Sequence, residues 1–360
     1  MSEAKGNGLE GVNAADTLIS HVDGERGYLV IAGADVERLA IDFTFEQAAA
    51  RVLAAGNGDV TSHGNPTELA AALVKARAAA WELLPRLGNA LDAKDGMDAL
   101  RAAMAHVWST DDATDAITAI AAAPVFVSAW SRKRRNLAPV APSGADHATD
   151  YLRMTIGTDP SPAAAKALGA YLTTVIDHGM NASTFTARVV ASTASDMISS
   201  VVAAVGALKG PLHGGAPGPV LDMLDAIGTP ANAETWLLAE LAAGKRIMGM
   251  GHRIYRVRDP RAAVLEVAVK PLASPRLELA RAVEIAAAKI LREKKPDRPL
   301  AANVEFYTAV LLDAVGLPRE QFAPTFGVGR VTGWCAHVLE QRRTGKLIRP
   351  ASTYVGPMPS

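Results

Sequence analysis

The residues best suited to chemistry lie in one basic stretch, residues 245–261, with the sequence KRIMGMGHRIYRVRDPR. His252 stands in it between glycines and hydrophobic side chains. Five arginines accompany it, namely Arg246, Arg253, Arg256, Arg258 and Arg261. A guanidinium group presents a planar fork that holds carboxylate or phosphate in bidentate fashion. The stretch therefore indicates a small polyanionic substrate with a carbonyl group for the histidine to polarise, although a solvated basic loop would have the same composition.

The same stretch carries its own backbone signals. Gly249 and Gly251 precede His252 and allow positive φ or a close approach of the backbone to a ligand. Asp259 followed by Pro260 is typical of a helix start, with proline at the first helical position. We therefore expect a tight loop that holds His252 and leads directly into a helix.

A second histidine, His213, lies in the segment GPLHGG just before a predicted helix. Backbone N–H groups and the helix dipole at such a position favour negative charge and a neutral imidazole. A neutral imidazole can donate a hydrogen bond to a developing oxyanion. A histidine whose hydrogen bonds are satisfied within a tight turn is the alternative.

Two further segments combine polar groups with helix boundaries. Residues 177–184, DHGMNAST, join two predicted helices and include His178 and Asn181, of which the latter serves equally well as a helix cap. Residues 303–307, NVEFY, place Glu305 in the first turn of a helix, where a favourable interaction with the helix dipole would also explain it.

Three kinds of chemistry fit these residue types. A metal site would use His213, His252 and Glu305, but these lack the short His-x-x-x-His spacing of a helix-borne site. Dinucleotide binding at residues 249–251 is disfavoured because no strand precedes GMG and no third glycine follows. Proton abstraction next to a carbonyl group needs a carboxylate base, a donor for the enolate oxygen and cations for the carboxylates of an acceptor. The sequence supplies all three.

Composition limits the class of protein. Of the 360 residues, 49% are apolar but only 5% are aromatic, which favours an α-rich protein with a core of Ala, Leu and Val. Lys plus Arg and Asp plus Glu number 37 each, so we expect no nucleic-acid or membrane partner. The chain has a single cysteine, Cys335, no secretory signal and no apolar run of about 18 residues. We therefore expect a soluble, cytoplasmic protein.

Periodicity and turn signals predict the elements around these segments. Asp23-Gly24, between residues 21–22 and 28–31, predicts a β-hairpin. Thr44 with Gln47 predicts a capping box for the first helix. Helices are predicted over residues 45–55, 66–84, 97–107, 112–122, 124–135, 146–156, 163–178, 182–208, 234–243, 275–292, 303–315 and 328–343, with another that ends at residue 227.

Taken together, the motifs resemble the citrate synthase family. DHGMNASTF, GPLHGG, GMGHRIYRVRDPRA, NVEFY, FGVGR and IRP occur in that family's order and approximate spacing, over nearly the whole chain. The resemblance implies an all-α, citrate-synthase-like fold of two domains with a small N-terminal β-hairpin. The large domain would comprise residues 1–214 and 317–360, and the small domain, residues 215–316, would close over the substrates and exclude water. It also implies a homodimer.

The resemblance implies a role for each site residue. Glu305 would remove a methyl proton from acetyl-CoA, His213 would donate to the thioester oxygen, and His252 would polarise the ketone of oxaloacetate. The substrate-binding residues would be His178, Arg261, Arg330 and, from the partner chain, Arg349. Coenzyme A would contact Arg246, Met250, Gly251 and Arg256. No metal ion or redox cofactor is implied, since acetyl-CoA is a substrate.

One residue departs from the family pattern, because Glu305 stands where Asp is usual. A misplacement of about 1 Å can cost on the order of a hundredfold in rate, so we expect the backbone to be set back in compensation. The near alternative is a 2-methylcitrate synthase that uses propionyl-CoA, since the sequence does not reveal which residues line the acyl pocket. A metal-dependent oxygenase and a catalytically silent family member are more remote alternatives.

Overall fold

The computed structural model describes residues 8–9, 11–213, 217–294 and 300–359. Within these residues the chain is mostly helical. The helices are α1 (Val36–Asp42), α2 (Phe45–Gly56), α3 (Pro66–Leu83), α4 (Gly96–Met104), α5 (Asp112–Arg134), α6 (His147–Ile156), α7 (Pro162–Thr174), α8 (Ala182–Ser192), α9 (Met197–Leu208), α10 (Pro217–Ile227), α11 (Ala233–Ala242), α12 (Pro260–Val269), α13 (Pro275–Lys294), α14 (Val304–Ala314) and α15 (Phe322–Thr344). The predicted helical class is confirmed. The predicted domain boundary between residues 214 and 215 lies outside the described residues.

A small antiparallel sheet precedes the helices. Its strands are β1 (Ser20–Asp23), β2 (Tyr28–Ile31) and β3 (Ala34–Asp35), in that spatial order. Asp23 pairs with Tyr28 at the end of the β1–β2 ladder, so the predicted hairpin is confirmed. The sequence pattern predicts neither β3 nor α1, for which Asp35 is the N-cap.

Side-chain caps fix the starts of the helices that carry the predicted site. Asp259 accepts a hydrogen bond from the backbone N–H of Arg261 and caps α12, with Pro260 at its first position as predicted. Asn303 caps α14 by accepting from the N–H of Glu305 at 3.0 Å. Each cap satisfies an N–H group that the helix leaves without an intrahelical partner.

The prediction of one helix over residues 182–208 is wrong. The structure has two helices, α8 and α9, separated by a turn in which Ala194 takes a φ of +66°. Asp196 then restarts the helix by accepting from the N–H of Ser199 at 2.7 Å. A capping aspartate inside an alanine- and valine-rich run is therefore the local reason for the break.

The prediction of two helices over residues 112–122 and 124–135 is also wrong. Helix α5 runs through Pro124, although proline removes one backbone hydrogen bond and normally kinks or ends a helix. Pro124 and its neighbours from residue 119 to residue 132 are buried. Packing against other helices here overrides the local preference of one residue.

Helix α15 is the central element of the fold and packs against α2, α5, α8 and α9. It begins at Phe322, six residues before the predicted start. A Cβ on Gly329 would lie 2.5 Å from a methyl group of Val175, and one on Gly333 would lie 2.8 Å from the Asp177 carboxylate. Glycine is therefore required where α15 crosses the end of α7, and that crossing brings Arg330 to the loop that carries His178.

Two further properties concern the buried helices α5 and α15. Helix α5 is long and apolar enough to cross a membrane by length and composition alone, but 78% of its most apolar window is buried inside the protein, as expected of a core helix. Cys335 on α15 has no exposed surface, and burial raises the pKa of its thiol.

Candidate active site

The His252 loop is bonded to the segment that leads into α14. Gly251 donates its N–H to the carbonyl of Ala301 at 2.7 Å, and Asn303 donates its N–H to the carbonyl of Gly249 at 2.9 Å. The Asn303 amide also donates to the carbonyl of Gly251 at 2.8 Å. These backbone bonds fix the distance between the loop and the first turn of α14, where Glu305 lies.

Both glycines of the loop are required by its geometry, as the sequence predicts. Gly249 has a φ of +71° and Gly251 a φ of +86°, values that other residues rarely adopt. A Cβ at Gly249 would also lie 2.8 Å from the ring of Phe306. The loop can therefore lie against α14 only because residue 249 has no side chain.

The tautomer of His252 follows from its backbone contacts. Its Nδ1 accepts from the N–H groups of Ile254 at 3.0 Å and Tyr255 at 3.2 Å. Burial and the nearby charge of Arg261 lower the pKa of His252 to about 4, so the ring is neutral at pH 7 and carries its proton on Nε2. Nε2 lies 3.4 Å from Nη2 of Arg261, and both are donors. The two N–H groups converge on one region, which suits an oxygen that accepts from both.

His213 is neutral by a different arrangement. Its Nε2 accepts from the N–H of Ser183 at 3.2 Å and lies 2.8 Å from the Ser183 hydroxyl, in the first turn of α8. The indole of Trp334 donates to that hydroxyl at 3.1 Å. Burial and then Arg330 lower the pKa of His213 to about 4. The proton is therefore on Nδ1, and His213 presents a neutral donor to the site.

His178 is buried in the connection between α7 and α8. Its Nε2 lies 3.1 Å from the Tyr255 hydroxyl, and the centroid of its ring is 5.5 Å from that of His252. Burial, followed by the charges of Arg261 and Arg330, holds the pKa of His178 well below its usual range. A third neutral imidazole therefore lies beside the His252 loop.

Two buried guanidinium groups supply the positive charge. Arg261 makes a bidentate ion pair with Asp259, at 2.7 Å from Nη2 and 3.0 Å from Nε. Arg330 donates from Nε to the carbonyl of Val175 at 2.6 Å, and its buried Nη2 lies without a hydrogen-bond partner among the described residues. Burial, together with repulsion from Arg261, lowers the pKa of Arg330 to about 10, so it remains charged at pH 7. A cation buried at this cost indicates a site built for an anion.

Glu305 is half-buried at the start of α14. Its charge helps to raise the pKa of Arg261 and that of Tyr171, so its carboxylate lies within electrostatic reach of the buried arginine. The site thus brings together six of the predicted residues from five parts of the chain. These are His178, His213, His252, Arg261, Glu305 and Arg330.

The remaining predicted residues lie further out. Arg246 is exposed, and Met250 is half-buried and forms an isolated β-bridge with Ala302. Arg256 is exposed, with Nε 3.9 Å from the Glu25 carboxylate. Arg349 is exposed in the tail after α15.

Three residues of the site are not predicted as functional from the sequence. Tyr255 resembles any core aromatic in the motif, Ser183 resembles a capping residue, and Asp259 is interpreted as a helix start. Each contacts a predicted residue, either within one loop or between segments that are far apart in the chain. Asp259 also accepts from the N–H of Val304 at 3.1 Å, which joins α12 to α14.

Metal ligation is not favoured by the arrangement of side chains. Among the residues that the structure describes, no three His, Cys, Asp or Glu side chains are grouped closely enough to hold a metal ion. The Nε2 lone pair of His213 and the Nδ1 lone pair of His252 are also used by backbone N–H groups. The geometry suits donors to oxygen better than ligands to a cation.

Known proteins are similar to this chain over nearly its whole length. The sequence profile described as citrate synthase, C-terminal domain, matches residues 8–351. A putative citrate synthase 2 of Mycobacterium tuberculosis is 38% identical over 364 residues, covering 98% of this chain and 93% of the relative. A 2-methylcitrate synthase of the same species is 36% identical over 363 residues, covering 97% and 90%.

A solved structure is similar in fold as well. The citrate synthase of Thermoplasma acidophilum, in a ternary complex with carboxymethyl coenzyme A and oxaloacetate, superposes with a TM-score of 0.85 at 28% identity, covering 100% of this chain and 98% of that chain. On these grounds, and on the site described above, the chain belongs to the citrate synthase family, whose enzymes are transferases that act on acyl groups.

Proposed function

We propose that this chain condenses acetyl-CoA with oxaloacetate and water to give citrate and coenzyme A. The observation that carries the proposal is the pair of neutral imidazoles with opposite tautomers, His213 with its proton on Nδ1 and His252 with its proton on Nε2. One donor can serve the thioester oxygen and the other the ketone, because two carbonyl groups must be polarised in one condensation. The complex reported for the Thermoplasma acidophilum relative supports both substrates.

In this mechanism Glu305 takes a proton from the methyl group of acetyl-CoA. His213 donates from Nδ1 to the thioester oxygen and stabilises the enol. The enol carbon attacks the ketone carbon of oxaloacetate, whose oxygen is hydrogen-bonded by Nε2 of His252 and takes up a proton to become the hydroxyl group of the product. This proton balances the one removed by Glu305. Water then hydrolyses the resulting thioester and releases coenzyme A. Neutral donors suit this role because they stabilise a developing oxyanion without protonating the carboxylate base.

The carboxylates of oxaloacetate would pair with Arg261 and Arg330, beside His178. Arg330 is preorganised for this, since its Nε is held by the carbonyl of Val175 while its buried Nη2 has no described protein partner. We further propose that Arg349 reaches the site of a partner chain in a homodimer. Coenzyme A would lie along Arg246, Met250, Gly251 and Arg256.

Closure of a small domain, residues 215–316, over a large domain, residues 1–214 with 317–360, would exclude water while the enol forms. Helices α10, α13 and α14 of the proposed small domain pack on one another, which supports their movement as a unit. The contacts between α12 and α7 would then change on closure.

The test is release of free thiol from acetyl-CoA, measured with and without oxaloacetate. Oxaloacetate-dependent release that persists after treatment with a chelator is the expected result. Absence of release with both substrates saturating would contradict the proposal and favour a catalytically silent member.

Substrate choice needs a second measurement, because one relative is named as a 2-methylcitrate synthase. One methyl group in a pocket is worth only about 1–3 kcal/mol, or roughly 10–200-fold in kcat/KM. We expect kcat/KM for acetyl-CoA to exceed that for propionyl-CoA by a factor in this range. The reverse order would assign the chain to 2-methylcitrate synthesis.

A further inference from the structure

Tyr255 contacts three of the residues proposed to bind oxaloacetate. Its backbone N–H donates to Nδ1 of His252, and its hydroxyl lies 3.1 Å from Nε2 of His178. The centroid of its ring is 4.8 Å from that of His252 and 5.8 Å from the guanidinium carbon of Arg261. The side chain is 2% exposed, so these contacts are made away from bulk water.

We propose that Tyr255 is a positioning residue whose hydroxyl holds His178 in one tautomer and one orientation for binding of the keto acid. The inference rests on the proposed function, because it assigns Tyr255 to the oxaloacetate part of that site. It concerns a residue whose hydroxyl acts through His178 rather than on the reacting atoms.

The direction of the hydrogen bond follows from the surroundings. Burial raises the pKa of Tyr255, with Arg261 acting in the opposite direction, so the phenol keeps its proton at pH 7. Burial and the charges of Arg261 and Arg330 keep His178 neutral, so its Nε2 can accept a hydrogen bond. In the proposed arrangement the Tyr255 hydroxyl donates to Nε2 of His178 over 3.1 Å, and the ring carries its proton on Nδ1.

This donor also affects the charge of His178. The groups that face the ring are Arg261 from α12, Arg330 from α15, and His252 with Tyr255 from the loop. An imidazolium has no lone pair to accept from the phenol, so the hydrogen bond stabilises the neutral ring. A neutral His178 leaves the charges of both arginines to the carboxylates of the substrate.

The test is Tyr255→Phe, with Tyr151→Phe as the matched control. Tyr151 is also buried, and its hydroxyl lies 2.7 Å from that of Thr325 and accepts from the Gln321 amide at 3.0 Å. We expect Tyr255→Phe to raise KM for oxaloacetate about 3–10-fold, the usual effect of one lost hydrogen bond, with KM for acetyl-CoA unchanged. In a plot of KM for oxaloacetate against pH, the break that reports the pKa of His178 should move to higher pH, towards the ordinary pKa of histidine. Tyr151→Phe should change neither quantity.

A double-mutant cycle with His178→Ala separates positioning from a general structural effect. If Tyr255 acts through His178, Tyr255→Phe will change KM for oxaloacetate less than twofold in the His178→Ala background. Equal effects of Tyr255→Phe in both backgrounds, or behaviour identical to that of Tyr151→Phe, would overturn the inference alone. A wild-type enzyme without oxaloacetate-dependent thiol release would instead remove the proposed function, and the inference with it.

Discussion

Replacement of Asp259 by asparagine tests how the His252 loop, Arg261 and α14 are held together. One carboxylate oxygen accepts from the backbone N–H and Nε of Arg261, both at 3.0 Å. The other accepts from Nη2 of Arg261 at 2.7 Å and from the N–H of Val304 at 3.1 Å. Asparagine has one acceptor oxygen, so either orientation of its amide turns an NH₂ group towards two donors.

The expected loss is large because the pair is buried. Asp259 is 1% exposed and Arg261 is 2% exposed, so Asp259→Asn leaves a guanidinium charge without its counter-ion. Removing one partner of a buried ion pair typically costs about 3–5 kcal/mol. We expect a decrease of this size in the free energy of unfolding. We also expect a higher KM for oxaloacetate, because Arg261 is no longer held in position.

The assay is urea unfolding followed by circular dichroism, with kinetics measured on the folded protein. Asp159→Asn is the matched control, since Asp159 pairs with Arg153 at 3.0 Å but is 87% exposed. An exposed pair contributes little, so the control should resemble wild type. Equal losses of stability in the two variants, with no change in KM for oxaloacetate in either, would refute this role for Asp259.

Four other predictions follow from the same geometry. Glu305→Gln should lower kcat by about a hundredfold or more, since the amide cannot take a proton, and turnover near wild type would remove Glu305 from the mechanism. His213 and His252 have pKa values of about 4, so kcat/KM should stay level from about pH 7 to about pH 6 and fall only below about pH 5. A fall in kcat/KM with its midpoint near pH 6.5 would contradict the assignment of both histidines as neutral donors. A histidine in the unfolded chain binds a proton more tightly than these two do in the folded protein. The free energy of unfolding should therefore decrease as the pH falls from about 6.5 to about 4, which an acid titration would measure. A Cβ on Gly24 would overlap the carbonyl group of Ile254, so Gly24→Ala should raise KM for oxaloacetate, whereas Gly169→Ala, which meets only a methyl group at 3.7 Å, should not.

The sequence predicts the His252 loop well because its signals are local. Gly249, Gly251 and Pro260 each have a conformational requirement that the structure satisfies, and Asp259 begins the helix as expected. The neutral state of His213 is also predicted, although for another reason. The helix N-terminus was expected to favour it, whereas burial and Arg330 are the causes in the structure.

The tautomer of His213 could not be predicted, because it depends on a partner far away in the chain. Ser183 donates to His213 across thirty positions, and Asp259 reaches the N–H of Val304 across forty-five. The break at Ala194 and the continuous helix through Pro124 have a similar origin, since packing and capping outweigh the residue preferences from which the helices are predicted.

The buried thiol of Cys335 has a practical consequence for experiments on this enzyme. It is the only cysteine of the chain, and its raised pKa and lack of exposed surface make it unreactive towards alkylating reagents in the folded state. A cysteine introduced at Trp108, which is 88% exposed, would therefore be the single position to accept a maleimide dye or spin label. The mobility or fluorescence of such a probe could then be followed in solution without first replacing the native residue.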